Sequence, residues 1–510
     1  MAIAAFARAA ASKTKHAFGV PGSGQSLELI QAMGDHGVAF HSVYHEGAAA
    51  IMAGTVGRLS DDIALAITIK GPGLANMVAG MAACTYENLP MLALSEAYGP
   101  GVPLAKAHKR LDQVALTAAV AKGQRYLAAE GPGYDDLAAW AKAETSGPVF
   151  VELAGAVATE KPVPKILSNA DIGDVLGCIN RSQRPAIIAG TYALRARLSS
   201  ILNRMQIPVF STAAAKGVVH EGLPHAAGVY TGIGLSLTPE FDLVNQADLV
   251  VGIGLRASEV LAAAPFSCGA VNLDPVNAPG MDGFAFDGIA RDPGQALEAL
   301  TQKAWGVEEV VKVTAHLRQH LLSPSTYLPA HAFDAVARAF VNGVRMVIDT
   351  GYFSTIGEHF WQASKGDWYL SSGSGRYMGI GLPQAIAATI QDPSVPTVLA
   401  VGDGGIAPFM GEAILARRLN LPLLVLHMSD GGYGSVRTRA IAEGLTQEPM
   451  LQPAVSWLPA FDGFGFATAY AGTSDALDKA LADWRPDDGP LFVELPMDPD
   501  AYQDMVKGVR

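Results

Sequence analysis

Cysteine, charge and long apolar runs are all scarce in this sequence of 510 residues. The three cysteines, Cys84, Cys178 and Cys268, are scattered, odd in number and never spaced Cys-x-x-Cys. That pattern argues against a zinc site or a disulfide framework and points to a reducing cytoplasm. Lys and Arg total 36 against 48 Asp and Glu, a formal charge of −12, so nucleic acid is not an expected partner. No uncharged apolar run reaches the roughly 18 residues needed to span a bilayer, so no membrane partner is expected either. The Ala-rich opening, Met1 to Ala11, lacks a basic leading segment and carries Arg8 in its middle. It reads as a first helix leading into a strand at Ala17–Val20 rather than as a signal peptide.

What the chain has in quantity is apolar residue types, 50% of the total, and glycine, at 55. Its length suggests two to four domains. Short β-branched or apolar runs alternate with Ala- and Leu-rich helical stretches. The runs include Ile63–Ile69, Pro148–Leu153, Ala186–Ala189, Leu249–Ile253, Met346–Ile348, Thr397–Val401 and Leu423–His427. Near-continuous apolar strands between helices predict an α/β protein of doubly wound parallel sheets, covered on both faces. One segment nearly repeats: Gly147-Pro-Val-Phe-Val-Glu-Leu153 is matched by Gly489-Pro-Leu-Phe-Val-Glu-Leu495, an offset of 342 positions. The repeat predicts that the first and last thirds are related domains, with a third α/β unit between them. Pro-bearing, weakly periodic stretches at Pro162–Leu167 and Leu322–Pro329 suggest domains over 1–165, 166–325 and 326–510.

The strongest chemical signal lies in the last third. The run Thr397–Val401 leads straight into Gly402-Asp403-Gly404-Gly405, with a helix expected from about Phe409 to Leu419. A second strand then ends in Ser429-Asp430-Gly431-Gly432-Tyr433-Gly434. Both acids therefore fall at the carboxyl ends of strands, where parallel sheets bind ligands. The flanking glycines allow backbone N–H groups to approach an anion such as a diphosphate. Two carboxylates would oppose that anion unless a hard cation lay between them, which points to Mg²⁺. A lone Gly-Asp-Gly reads as an ordinary turn; the pair, spaced strand–helix–strand, does not.

The motif resembles that of the thiamine-diphosphate-dependent enzymes, in particular the branch of acetolactate synthase and benzoylformate decarboxylase. Their motif is Gly-Asp-Gly followed nearly thirty residues on by Asn-Asn; here Asp403 matches the Asp, and Asp430 stands where the second Asn would be. The resemblance implies that Asp403, Asp430 and the Gly432 carbonyl ligate Mg²⁺. It covers nearly the whole chain. Phe18-Gly-Val-Pro-Gly22 is similar to the family's opening turn, His45-Glu46-Gly-Ala-Ala to its cofactor-activating segment, and Gly71-Pro72-Gly73 with Asn76 to its next loop. Ser372 to Gly375, Met378-Gly379 and Gly381-Leu-Pro383 resemble the pyrimidine-binding stretch. Gly351 and Tyr352 resemble the diphosphate-contacting turn, although acetolactate synthases have Gln-His where this chain has Tyr352-Phe353. The resemblance implies a thiamine-diphosphate-binding fold in the first and third domains and a Rossmann-like central domain. It further implies Glu46 as the acid that favours the reactive tautomer of the cofactor's aminopyrimidine, and Met378 as the prop for its bent shape. A homodimer or homotetramer, with each site at a subunit interface, follows from the same resemblance.

Two segments depart from acetolactate synthases: Lys70 replaces a small residue, and Ala107-His108-Lys109-Arg110-Leu-Asp112 replaces Ala-Phe-Gln-Glu-Ala-Asp. Lys70 and His108, with Lys109 and Arg110, are therefore candidates to hold a carboxylate-bearing carbonyl substrate and to move protons; a solvated basic run is the plainer reading. His41, His45 and His427 read as structural. The expected activity is 2-oxo acid decarboxylation or carboligation. The alternatives are a non-catalytic relative and an NAD- or FAD-dependent oxidoreductase. The latter would use Gly252-Ile-Gly254-Leu-Arg-Ala257, with Asp274 receiving the ribose.

Overall fold

The structure is a computed structural model that describes residues 2–99, 101–127, 133–155, 158–161, 165–167, 172–278, 282–452 and 455–510. The expected opening helix forms over Ala2–Ala11 and leads into a strand one residue earlier than the sequence suggested. The first third builds β1 (His16–Gly19), β2 (Ala39–Ser42), β3 (Leu65–Thr68), β4 (Met91–Ser95), β5 (Gly123–Tyr126), β6 (Pro148–Glu152) and β7 (Thr159–Glu160). The middle supplies β8 (Lys165–Ile166), β9 (Pro185–Ala189), β10 (Val209–Ser211), β11 (Ala226–Val229), β12 (Leu249–Ile253), β13 (Gly269–Leu273), β14 (Val276–Asn277) and β15 (Gly288–Ala290). The last third adds β16 (Arg345–Ile348), β17 (Tyr369–Ser371), β18 (Thr397–Val401), β19 (Leu423–Ser429), β20 (Ala467–Tyr470) and β21 (Leu491–Pro496).

Three sheets result, with orders β2-β1-β3-β4-β6-β5-β7, β11-β10-β9-β12-β13-β15 and β17-β16-β18-β19-β21-β20. Each has six parallel strands; β7 is an antiparallel edge on the first, and β8 with β14 forms a separate two-stranded ribbon. Numbered within their own thirds, the strands of the first and last sheets share the order 2-1-3-4-6-5. The Gly-Pro repeat lies on the sixth strand of each, β6 and β21. The middle sheet has the order 3-2-1-4-5-6, that of a Rossmann-like domain. Every residue of β3, β4, β6, β9, β12, β16 and β18 is buried. Burial on both faces is why these strands read as continuous apolar runs.

The chain divides into two compact units. The first holds 1–163 together with 382–396 and 407–423; the second holds 164–381, 397–406 and 424–510. Residues 162–164, within the first expected boundary, lie outside the described residues. The expected helix Phe409–Leu419 is divided, with a tight 3₁₀ turn at Met410–Glu412 preceding a helix over Ala413–Arg418. Among the described residues, no helix is long and apolar enough to cross a membrane.

Candidate active site

In the first unit, β2 leads through Tyr44 and His45 into the helix Glu46–Leu59. His45 caps that helix, its Nδ1 accepting the Gly47 N–H at 2.9 Å. Glu46 is therefore the first helical residue, where the helix dipole favours a carboxylate. It is buried, at 7% exposure, and its Oε2 accepts the Asn76 side-chain N–H at 3.1 Å. Asn76 sits on the helix Pro72–Tyr86, whose cap is Gly71. Gly71 has φ +71°, and a Cβ there would stand 2.2 Å from the Lys109 carbonyl oxygen, so no other residue fits this turn without displacing backbone. The Gly71 N–H donates to Gln113 Oε1 at 3.0 Å. Glu46, Gly71, Pro72 and Asn76 are thus gathered at two adjacent helix starts.

The basic residues divide. Lys70 Nζ lies 2.8 Å from Glu96 Oε2 and 5.0 Å from the centre of the Tyr98 ring, so its charge is already matched. Burial pushes the Glu96 carboxyl up, but bonds from Lys70 and Ser26 outweigh it and hold the group below its ordinary range. Glu96 also accepts the N–H groups of Gly24 and Ser26, which fixes the turn after β1. Lys70, Tyr98, Lys109, Arg110, Gln113 and Glu152 line a cleft of about 400 Å³. His108 is not among its lining residues; it is exposed, and its carbonyl accepts the Tyr98 hydroxyl at 2.7 Å. Glu152, on the cleft wall, is raised by burial against a 2.9 Å bond from Gln113 Nε2.

In the second unit, β18 and β19 deliver Asp403 and Asp430 to neighbouring strand ends. Asp403 Oδ2 accepts three consecutive backbone N–H groups, from Asp430 (3.1 Å), Gly431 (2.9 Å) and Gly432 (3.2 Å). The wholly buried His427 ring lies alongside, Nε2 to Asp403 Oδ1 at 3.1 Å. Burial acts upward on Asp403, but His427, Ser429 and the Gly431 N–H overcome it and leave the group below its usual value. Asp430 goes the other way, to about 6, through burial and the repulsion of Asp403. Two partly buried carboxyls that oppose each other, on a loop with a nearby Gly432 carbonyl, are a donor set for a hard divalent ion. Among the described residues no three His, Cys, Asp or Glu side chains gather around a common point. An ion held here would take further oxygens from backbone, water or a phosphate.

Around that loop, a Cβ on Gly404 would fall 2.7 Å from Met378 Sδ and 2.5 Å from Tyr433 Cε1, so these residues converge on one spot. Met378 is 39% exposed beside it. Tyr352 opens the helix Tyr352–Phe360 after Gly351, and its ring stacks on Tyr502 at 6.0 Å. Phe353 is buried beneath Gly402, giving apolar support where a hydrogen-bonding side chain was the family's pattern.

Three family models match in order. They are the N-terminal and C-terminal TPP binding domains of thiamine pyrophosphate enzymes, over residues 2–116 and 349–495, and the central domain of the same enzymes over 172–300. The chain belongs to the thiamine pyrophosphate enzymes. It is 26% identical to a protein of Pseudomonas aeruginosa described as a "probable 2-ketoarginine decarboxylase", over 85% of this chain and 82% of that one. It is 24% identical to the catabolic acetolactate synthase of Raoultella terrigena, over 96% and 93%. To the acetolactate synthase large subunit of Porphyra purpurea it is 22% identical, over 94% and 88%. This is a thiamine-diphosphate-dependent enzyme of the lyase or transferase type.

Within this thiamine pyrophosphate enzyme, the central domain's acid has a partner of its own. Asp274, the candidate ribose acceptor, is fully buried against Arg256, with Nε to Oδ2 at 3.0 Å. Beside it, the Glu259 carboxylate accepts the Thr191 N–H at 2.7 Å and the hydroxyls of Thr191 and Thr212. The acid expected to receive a ribose is thus already paired within the chain.

Sequence reasoning passed over Asp349, Glu96 and Glu412, because an acid at a strand or helix end carries no distinguishing spacing. Asp349 directly follows β16 and accepts the N–H groups of Gly379 (2.9 and 3.1 Å) and Gly381 (2.9 Å), which pins the turn after Met378. Burial lifts its carboxyl to about 6, against the pull of these donors. A raised folded-state value means that the folded chain holds this proton more tightly than the unfolded chain. The resulting stabilisation is complete below about pH 4 and is lost as pH rises through about 6. Urea titrations of the cofactor-free protein should show a loss of about 1–3 kcal/mol from this group between roughly pH 4 and pH 7. Asp349→Asn should lack that component.

Proposed function

We propose that this chain is a magnesium- and thiamine-diphosphate-dependent enzyme that breaks or makes the bond beside the carbonyl of a 2-oxo acid. The observation that carries the reading is the pair of strand-end carboxyls, with Asp403 tied to the Asp430 loop by three N–H bonds. These residues fit the ion: Asp403 and Asp430 would supply carboxylate oxygens and Gly432 a carbonyl oxygen, with the diphosphate completing the set. The bound cofactor would supply an electron sink for the charge left when CO₂ or an aldehyde departs. Glu46 would hold a proton at its carboxyl against the pyrimidine, with Asn76 keeping that carboxyl in place. Met378, beside Gly404 and Tyr433, would support the cofactor's bent shape, and Gly71, Pro72, Gly351, Tyr352, Gly375, Gly402, Gly405 and Gly434 would shape the turns around it.

The relatives' printed activities, decarboxylase and acetolactate synthase, support the 2-oxo acid. Lys109 and Arg110, on the cleft beside Gly71, would attract its carboxylate, while Lys70 is engaged by Glu96. A second reading, a 2-oxo acid with a cationic tail, is favoured by Glu152 on the cleft wall and by the likeness to the ketoarginine decarboxylase. A cytoplasmic homodimer or homotetramer, with Glu46 serving cofactor held by a neighbouring copy, belongs to the same proposal, as does the division into domains at 1–165, 166–325 and 326–510.

Calorimetric titration with thiamine diphosphate, with and without Mg²⁺, tests the cofactor; absence of metal-dependent binding overturns the proposal. A screen of dicarboxylic, apolar and guanidinium-bearing 2-oxo acids for CO₂ release, with and without an acceptor aldehyde, then separates the two substrate readings. It also separates decarboxylation from carboligation.

A further inference from the structure

The turn that carries Glu46 is held by a side chain far along the chain. β2 ends at Ser42, and the Val43 N–H still reaches the Gly19 carbonyl at 3.0 Å, but the helix does not begin until Glu46. The N–H groups of Tyr44 and His45 fall between ladder and helix, where the backbone offers them no acceptor in the regular pattern. Glu412, 1% exposed, accepts both. Its Oε1 lies 3.0 Å from each nitrogen, and its Oε2 lies 3.2 Å from that of Tyr44. The same short segment makes a second contact, the Phe409 ring meeting the His45 imidazole edge-on at 5.3 Å. His45 in turn caps the helix through Gly47, so the turn preceding Glu46 is fixed from both sides. Glu412, Phe409, Tyr44 and His45 all lie in the first unit.

We propose that Glu412 is a positioning residue: its buried carboxylate fixes the backbone of Tyr44 and His45 and thereby aims Glu46 at its target. A carboxylate suits this task because it accepts two converging N–H groups and donates to neither. Glutamine would keep the shape but replace one acceptor with an NH₂ facing a donor. The aiming half of the inference rests on Glu46 acting as the cofactor-activating acid; the clamping half does not.

The test uses the full chain with Glu412→Gln and Glu412→Ala, and reads amide hydrogen exchange at Tyr44 and His45 without cofactor. Exchange at one or both amides is expected to rise about 10- to 100-fold in Glu412→Ala and less in Glu412→Gln. Should Glu412→Ala fail to fold, Glu412→Gln alone decides. Wild-type exchange at both amides in a folded variant overturns the clamp. With thiamine diphosphate and Mg²⁺ saturating, kcat should fall about 10-fold or more, while KM for the 2-oxo acid stays within about two-fold. Faster exchange with unchanged kcat overturns the positioning role and leaves Glu412 a fold determinant. If the wild-type chain does not bind thiamine diphosphate, the functional reading fails while the exchange result still stands on its own.

Discussion

Replacing Glu46 with glutamine is expected to lower kcat by about 10²- to 10⁴-fold, the range typical of removing a positioned proton-transfer group. The side chain is buried at a helix start and bonded to Asn76, and an amide oxygen can still accept that bond. Folding and the approach of the cofactor should therefore survive. What glutamine cannot do is share an acidic proton with the pyrimidine ring. Affinity for thiamine diphosphate, measured by calorimetry with Mg²⁺, should change by no more than about 10-fold, or roughly 1.4 kcal/mol. The variant would thus lose turnover at nearly intact occupancy. Full turnover in Glu46→Gln would end the assignment of this residue as the activating acid.

Asp403→Asn should produce the complementary failure, with affinity lost and the fold kept. One oxygen of the amide can still accept N–H groups from the loop at Asp430, Gly431 and Gly432, so stability without cofactor should drop by only about 1–2 kcal/mol. The negative charge that a divalent ion needs is gone, however, and on the proposed reading such an ion would link protein to diphosphate. Affinity for cofactor with Mg²⁺ is expected to weaken by about 100-fold or more, a difference of at least roughly 2.7 kcal/mol. A simple readout is the rise in Tm on adding cofactor and metal, which should be large in the wild type and nearly absent in the variant. Equal rises in both proteins would place the metal elsewhere. The two variants also probe different units, since Glu46 belongs to the first and Asp403 to the second.

Much of the architecture was legible because parallel strands buried on both faces leave a simple trace. Runs such as Leu249–Ile253 and Thr397–Val401 are strands with the bounds read from the sequence. The repeated Gly-Pro-strand segment marks the sixth strand of two sheets with the same order. The acids at Asp403 and Asp430 were legible for a related reason: a strand running directly into Gly-Asp-Gly leaves its acid at the ligand-binding edge.

Partner choice was not legible. The sequence groups Lys70 with His108, Lys109 and Arg110 because all are basic and two segments depart together from the family. In the structure Lys70 faces Glu96, Lys109 and Arg110 line the cleft, and His108 is exposed and not among its lining residues. Glu412 reads as an ordinary helix acid until it is found on the backbone of Tyr44 and His45, more than 360 residues earlier. Asp274 has the position of a ribose acceptor, yet it is spent on Arg256.

By itself the sequence determined the three parallel sheets, the kinship of the first and last, and the family, because burial periodicity and turn chemistry are written locally along the chain. Only the tertiary structure decided which charged groups are already matched and which stand open to a ligand. A carboxylate or ammonium takes its partner from whatever the fold brings within about 3 Å, and no local pattern encodes that.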